Sequence, residues 1–97
     1  MKISDFQLLM LKTYYEKDSK RGIDGSLHRL REEVDELEKA IIDGSQKAIE
    51  EELADVLAWV ASISNILCID LQKAASEKYG EGCPRCKASP CKCEDDF

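Results

Sequence analysis

Carboxylates crowd two stretches of this 97-residue chain at spacings that can do chemistry. One stretch holds Glu32, Glu33, Asp35, Glu36 and Glu38, and the other holds Glu50, Glu51, Glu52 and Asp55. Taken as helices turning about 100° per residue, their apolar faces centre near Leu30 and Ile41 in the first and near Val60 in the second. Glu33 then lies roughly 80° from its centre and Glu36 about 140° in the same sense. Glu52 and Asp55 take the same two offsets on their own helix. The connection Asp43-Gly44-Ser45 is short enough to set the two helices antiparallel. Matched stripes on antiparallel neighbours face one side, so four carboxylates converge beside the core. Like charges this close raise one another's pKa unless a cation lies between them. An all-oxygen set suits a hard cation, Mg²⁺ with Mn²⁺ as substitute, which shares its shell readily with phosphates. The implied chemistry is phosphate-ester or anhydride cleavage, in which the cation neutralises phosphate charge and lowers the pKa of an attacking water. A single acidic helix is more simply a solvated face; two with matched offsets favour a site.

The elements that must carry these side chains are helices. Ser4 with Gln7 has the form of a capping box, followed by Phe6, Leu9, Met10, Leu11 and Tyr14 at helical spacing. This first helix should fade over 18–22. A second should start after Asp24 or Ser26 and align Leu27, Leu30, Val34, Leu37 and Ile41. Gly44 supplies its left-handed stop, Ser45 caps a third helix reaching about Leu67, and Asp70 caps a short fourth ending near Tyr79-Gly80. No alternating strand pattern intervenes. The expected fold is all-α, an antiparallel helical bundle of three long helices plus a short fourth over 1–80, with a Cys-rich tail over 81–97. The stretch 56–69 carries no charge; a membrane span needs roughly 20 residues, so this reads as a buried helix. One short chain has too few helices to cover it on every side, which predicts a bundle completed by dimerisation.

Leu30-Arg31-Glu32-Glu33-Val34-Asp35-Glu36-Leu37, followed by Glu51-Glu52-Leu53-Ala54-Asp55-Val56-Leu57, resembles the signature of the MazG-like nucleotide pyrophosphohydrolases. That all-α family carries an ExxE pair on one helix and an ExxD pair on the next. Glu33 and Glu36 match the first, Glu52 and Asp55 the second, and the resemblance extends over roughly residues 3–79. It implies Mg²⁺-dependent cleavage of nucleoside triphosphates to the monophosphate and pyrophosphate, in dimers or dimers of dimers, often to clear unwanted nucleotides. By the same resemblance Glu33, Glu36, Glu52 and Asp55 bind the metal. One of them, or the neighbouring Glu32, activates the water; Glu32 and Glu33 are the catalytic candidates.

Other residues carry weaker signals. His28 stands one turn before Glu32, where its ring could meet phosphate. Trp59 follows Asp55 by one turn and could stack on a nucleobase or simply pack. Lys73 and Lys78 on the fourth helix match places where the family suggests phosphate-binding basic residues. Arg21-Gly22, expected in the first inter-helix loop, would line the pocket mouth, while Cys68 reads as a small buried side chain. In the tail, Cys83, Cys86, Cys91 and Cys93 offer four thiolates within eleven residues for a structural Zn²⁺. The rivals are a thiol–disulfide pair at Cys83-Pro84-Arg85-Cys86, which normally needs a strand-to-helix context, and a disordered thiol tail. Fourteen basic against twenty acidic residues leave a net charge of −6, which argues against a nucleic acid polymer as partner. The first residues hold no secretory stretch, so the expectation is a cytoplasmic protein with no membrane partner. The competing functions are a non-catalytic helical adaptor with a metal-binding tail and a regulatory nucleotide binder without turnover.

Overall fold

A computed structural model describes residues 1–94, so 95–97 of the expected tail lie outside the described residues. The described residues contain three helices and no strand: α1 (Ile3–Asp43), α2 (Gln46–Ile66) and α3 (Leu71–Tyr79). The separate first and second helices expected from the sequence are one run, broken only at Gly22. Gly22 has φ 81° and ψ 175°, a combination open essentially to glycine alone, and a Cβ there would touch nothing within 4 Å. The requirement for glycine is therefore one of backbone conformation. At about 1.5 Å per residue, a straight helix of this length would span roughly 60 Å, yet the molecule's longest dimension is 43 Å. The break thus bends α1. Because one residue turns the chain, no loop forms: Asp24 and Ser26 cap nothing, Ser26 is wholly buried, and Arg21 is helical.

The other helix ends follow their local chemistry. Gly44 takes φ 77° and returns its N–H to the Ala40 carbonyl. Ser45 Oγ accepts from the Ala48 N–H at 3.3 Å, and Asp70 Oδ1 accepts from the Lys73 N–H at 3.0 Å. The first cap differs from expectation. α1 starts at Ile3, with Asp5 accepting the Lys2 N–H at 2.8 Å. Gln7, freed from capping, clamps the far end of α2. Its Nε2 donates to Asn65 Oδ1 at 3.0 Å and to the Ile69 carbonyl at 2.7 Å. Its Oε1 accepts the Leu71 N–H at 3.0 Å, and Asn65 Nδ2 returns a bond to the Gln7 carbonyl at 3.1 Å. These bonds satisfy the polar backbone of the α2–α3 turn, where the ladder of α2 has ended. Cys68 lies in that turn with φ 57° and is exposed, not buried as its apolar neighbours suggested.

α2 packs along α1, and the small residues Ala61, Ser62 and Ser64 allow the close approach. Cover is one-sided. Leu53, Leu57, Leu67 and Ile69 on and after α2 remain about half exposed, as do Leu8, Leu9, Tyr14 and Tyr15 on α1. Among the described residues no single helix is long and apolar enough to cross a membrane.

Candidate active site

The antiparallel pairing of the second half of α1 with α2 brings Glu33, Glu52 and Asp55 together. One carboxylate oxygen from each lies within 4.8 Å of the others. Glu33 and Glu52 are half-buried and Asp55 is exposed, so the cluster opens to solvent on the Asp55 side. Glu52 has a buried Oε2 with no hydrogen-bond partner. Its carboxyl is pushed above the ordinary value of 4.5, first by loss of solvent and then by a hydrogen bond shared with Glu33, which only a protonated carboxyl can make. The charges of Glu33, Asp55 and Glu36 push it the same way. Glu36 stands slightly apart: Lys39 Nζ holds its Oε1 at 3.2 Å. The structure therefore brings three of the four expected ligands into one group and leaves Glu36 at its margin, paired with lysine. Glu32 lies outside the group, held at 3.1 Å by Arg29 and at 3.9 Å by His28 Nε2.

Asp55 also belongs to the wall of a cleft of about 300 Å³ whose other walls are Tyr14, Lys17, Asp18, Arg21, Ala58, Trp59 and Ser62. Tyr14, Lys17, Asp18 and Arg21 sit at helical spacing before the Gly22 break; Asp55, Ala58, Trp59 and Ser62 follow the same rule on α2. The cleft is thus the angle between two helix faces. Asp18 is 2 % exposed, with Oδ1 accepting from Arg21 Nη1 at 2.8 Å and Oδ2 unpartnered. The Arg21 guanidinium lies 4.6 Å from the centre of the Trp59 ring, and that of Arg29 lies 5.5 Å from it. Trp59 is therefore both packed by cations and part of the cleft wall.

Sequence reasoning took Tyr14 only as an apolar position of the first helix and passed over Asp18, Lys17 and Ser62 as site residues. The available signal was the i, i+3, i+4, i+7 set formed by Tyr14, Lys17, Asp18 and Arg21, which reads as an ordinary polar helix face until α2 is packed against it. The remaining candidates stand elsewhere. His28 is exposed beside Glu32, Lys73 pairs with Glu77 at 3.9 Å, and Lys78 lies 5.4 Å from the Tyr79 ring. Both lysines ride on α3, whereas the cleft is built from α1 and α2.

A second cluster lies in the tail. The Sγ atoms of Cys83, Cys86, Cys91 and Cys93 all fall within 4.8 Å of one another, and all five cysteines are free thiols. The backbone N–H groups of Cys86 and then Arg85 lower the pKa of Cys83. Those of Lys92 and Ala88 do the same for Cys86, bringing it down to about 6. Cys93 is pushed up to about 12, chiefly by sharing a proton with Cys91 and by burial.

Two comparisons bear on these arrangements. A family model described as the MazG nucleotide pyrophosphohydrolase domain matches residues 22–87. The match takes in all four of the paired carboxylates and Trp59, and it ends between the two cysteine pairs. No curated protein matches the chain.

Proposed function

The chain belongs to the MazG nucleotide pyrophosphohydrolase family, and on that premise we propose that it hydrolyses nucleoside triphosphates to the monophosphate and pyrophosphate. The observation that carries the reading is the meeting of Glu33, Glu52 and Asp55 from two antiparallel helices. Three close carboxylates, one with a buried unpartnered oxygen, make an oxygen-only donor set with unspent negative charge, which fits Mg²⁺ or Mn²⁺. Glu33, Glu52 and Asp55 would hold the ion, with Glu36 joining on release from Lys39. When bound, the ion supplies charge neutralisation of the phosphates and a lowered pKa for water.

The chain's own groups do the rest. Glu33, at the half-buried side of the cluster, accepts the proton of the attacking water. Glu32 is the second candidate for that step once Arg29 turns away. Lys17 and Arg21 give the triphosphate a cationic wall beside Asp55, and Trp59 offers the base an aromatic surface. Because Asp55 belongs to both cluster and cleft, a triphosphate held beside the ion would lie with its nucleoside toward Trp59.

Function is carried by a dimer or a dimer of dimers. The half-exposed Leu57, Leu67, Ile69, Leu8 and Leu9 form more apolar surface than a small lone helical chain would leave to water. The test is pyrophosphate release across a panel of standard and modified triphosphates with Mg²⁺. Release that depends on Asp55 supports the reading. Tight nucleotide binding with no release would instead mark a regulatory binder.

A further inference from the structure

The tail residues 80–94 contain no helix after Tyr79 and no buried apolar side chain, yet they form a closed, hydrogen-bonded turn around four sulfurs. The Cys83 N–H donates to the Ala88 carbonyl at 3.0 Å, and the Lys87 N–H donates back to the Cys83 carbonyl at 2.7 Å. Gly82 has φ 103°, and a Cβ there would stand 2.7 Å from the Ala88 oxygen, so only glycine lets the two arms close. Lys87 takes φ 61° at the loop tip. Such a turn brings the Cys83 and Cys86 side chains to one side, where the second arm delivers Cys91 and Cys93.

We propose that Cys83, Cys86, Cys91 and Cys93 form a tetrathiolate site for one Zn²⁺, separate from the carboxylate centre. The sulfur spacing is the first support. Zn–S bonds of about 2.3 Å in a tetrahedron place sulfurs about 3.8 Å apart. Cys83 and Cys93 are 3.7 Å apart, and Cys86 and Cys91 are 4.0 Å apart. A disulfide would need about 2.05 Å. The second support is the backbone. The Lys92 N–H donates to Cys86 Sγ at 3.3 Å and the Cys93 N–H to Cys91 Sγ at 3.4 Å, bonds that suit sulfur carrying negative charge. The third is charge. Four thiolates around Zn²⁺ leave two negative charges, and Arg85, Lys87 and Lys92 are interleaved with the cysteines. Soft sulfur in tetrahedral array selects zinc over Mg²⁺. On ligation each thiol still protonated gives its proton to solvent, and the four new bonds replace the apolar core the segment lacks.

The test counts metal and reactive thiols in the full chain purified under reducing conditions. The expected result is about one zinc per chain, with Cys68 the one thiol of five that reacts quickly until a strong chelator exposes the others. Replacing the zinc with Co²⁺ should give the visible spectrum of tetrahedral thiolate ligation. Glu52→Gln/Asp55→Asn protein should keep its zinc, and Cys91→Ser protein should lose it. Protein without zinc that fails to take up Co²⁺, or five thiols equally reactive before chelation, overturns the assignment. Zinc lost from the carboxylate variant but kept in Cys91→Ser would move the ion to the other cluster and overturn it as well.

Discussion

Glu52 is the residue on which the carboxylate centre turns. Its folded-state pKa is raised, so its charged form costs stability above that pKa and the cost fades as pH falls toward the ordinary 4.5. In metal-free protein, Glu52→Gln should therefore melt higher than wild type at neutral pH. The gap should close as the buffer approaches pH 4.5, and thermal denaturation along a pH series reads it directly. Mg²⁺ should raise the melting temperature of wild type more than that of the variant, because the ion offsets the charge that the variant lacks. Asp55→Asn and Glu36→Gln should each abolish hydrolysis with helicity intact, since either change removes an oxygen-ligand charge. Wild-type turnover by Asp55→Asn protein at limiting Mg²⁺ would take Asp55 out of the metal site. Wild-type turnover by Glu36→Gln protein would mean that Glu36 serves only its pair with Lys39.

At the scale of elements, the break at Gly22 sets the cleft. It swings residues 3–21 across α2 and so places Tyr14, Asp18 and Arg21 opposite Trp59. Gly22→Ala should destabilise the protein by about 1–3 kcal/mol, the cost of holding an L residue in that backbone region. Chemical denaturation measures this, and an unchanged midpoint would show that the chain can turn there by another route. Much of this scale was legible in the sequence. The Gly44 stop, the Ser45 and Asp70 caps and the face shared by Glu52 and Asp55 follow from local rules, and each is found in place. The break itself was legible as a helix fading near Gly22, but one glycine conformation and a loop look alike in sequence. Gln7 was read through its neighbours in the chain, whereas the partner that defines it, Asn65, is distant along it, and Asp18 drew no reading because the α2 wall of its cleft is equally distant.

For the whole molecule, apolar residues are left half-exposed on both α1 and α2, and the proposed dimer would cover them. Sedimentation at micromolar concentration should report a dimer or larger, and charge placed at Leu57 should dissociate it with a lower melting temperature. A stable wild-type monomer would contradict the need for cover. The chain carries a carboxylate centre, a cleft with an aromatic wall and a thiol-lined tail, and the proposed reaction uses the first two. The most direct test of that account is phosphorus NMR of a nucleoside triphosphate incubated with the protein. The account predicts nucleoside monophosphate and pyrophosphate in equal amounts, formed only with Mg²⁺ or Mn²⁺ and lost in Asp55→Asn. Orthophosphate as the released product, or hydrolysis unchanged without a divalent cation, would contradict it.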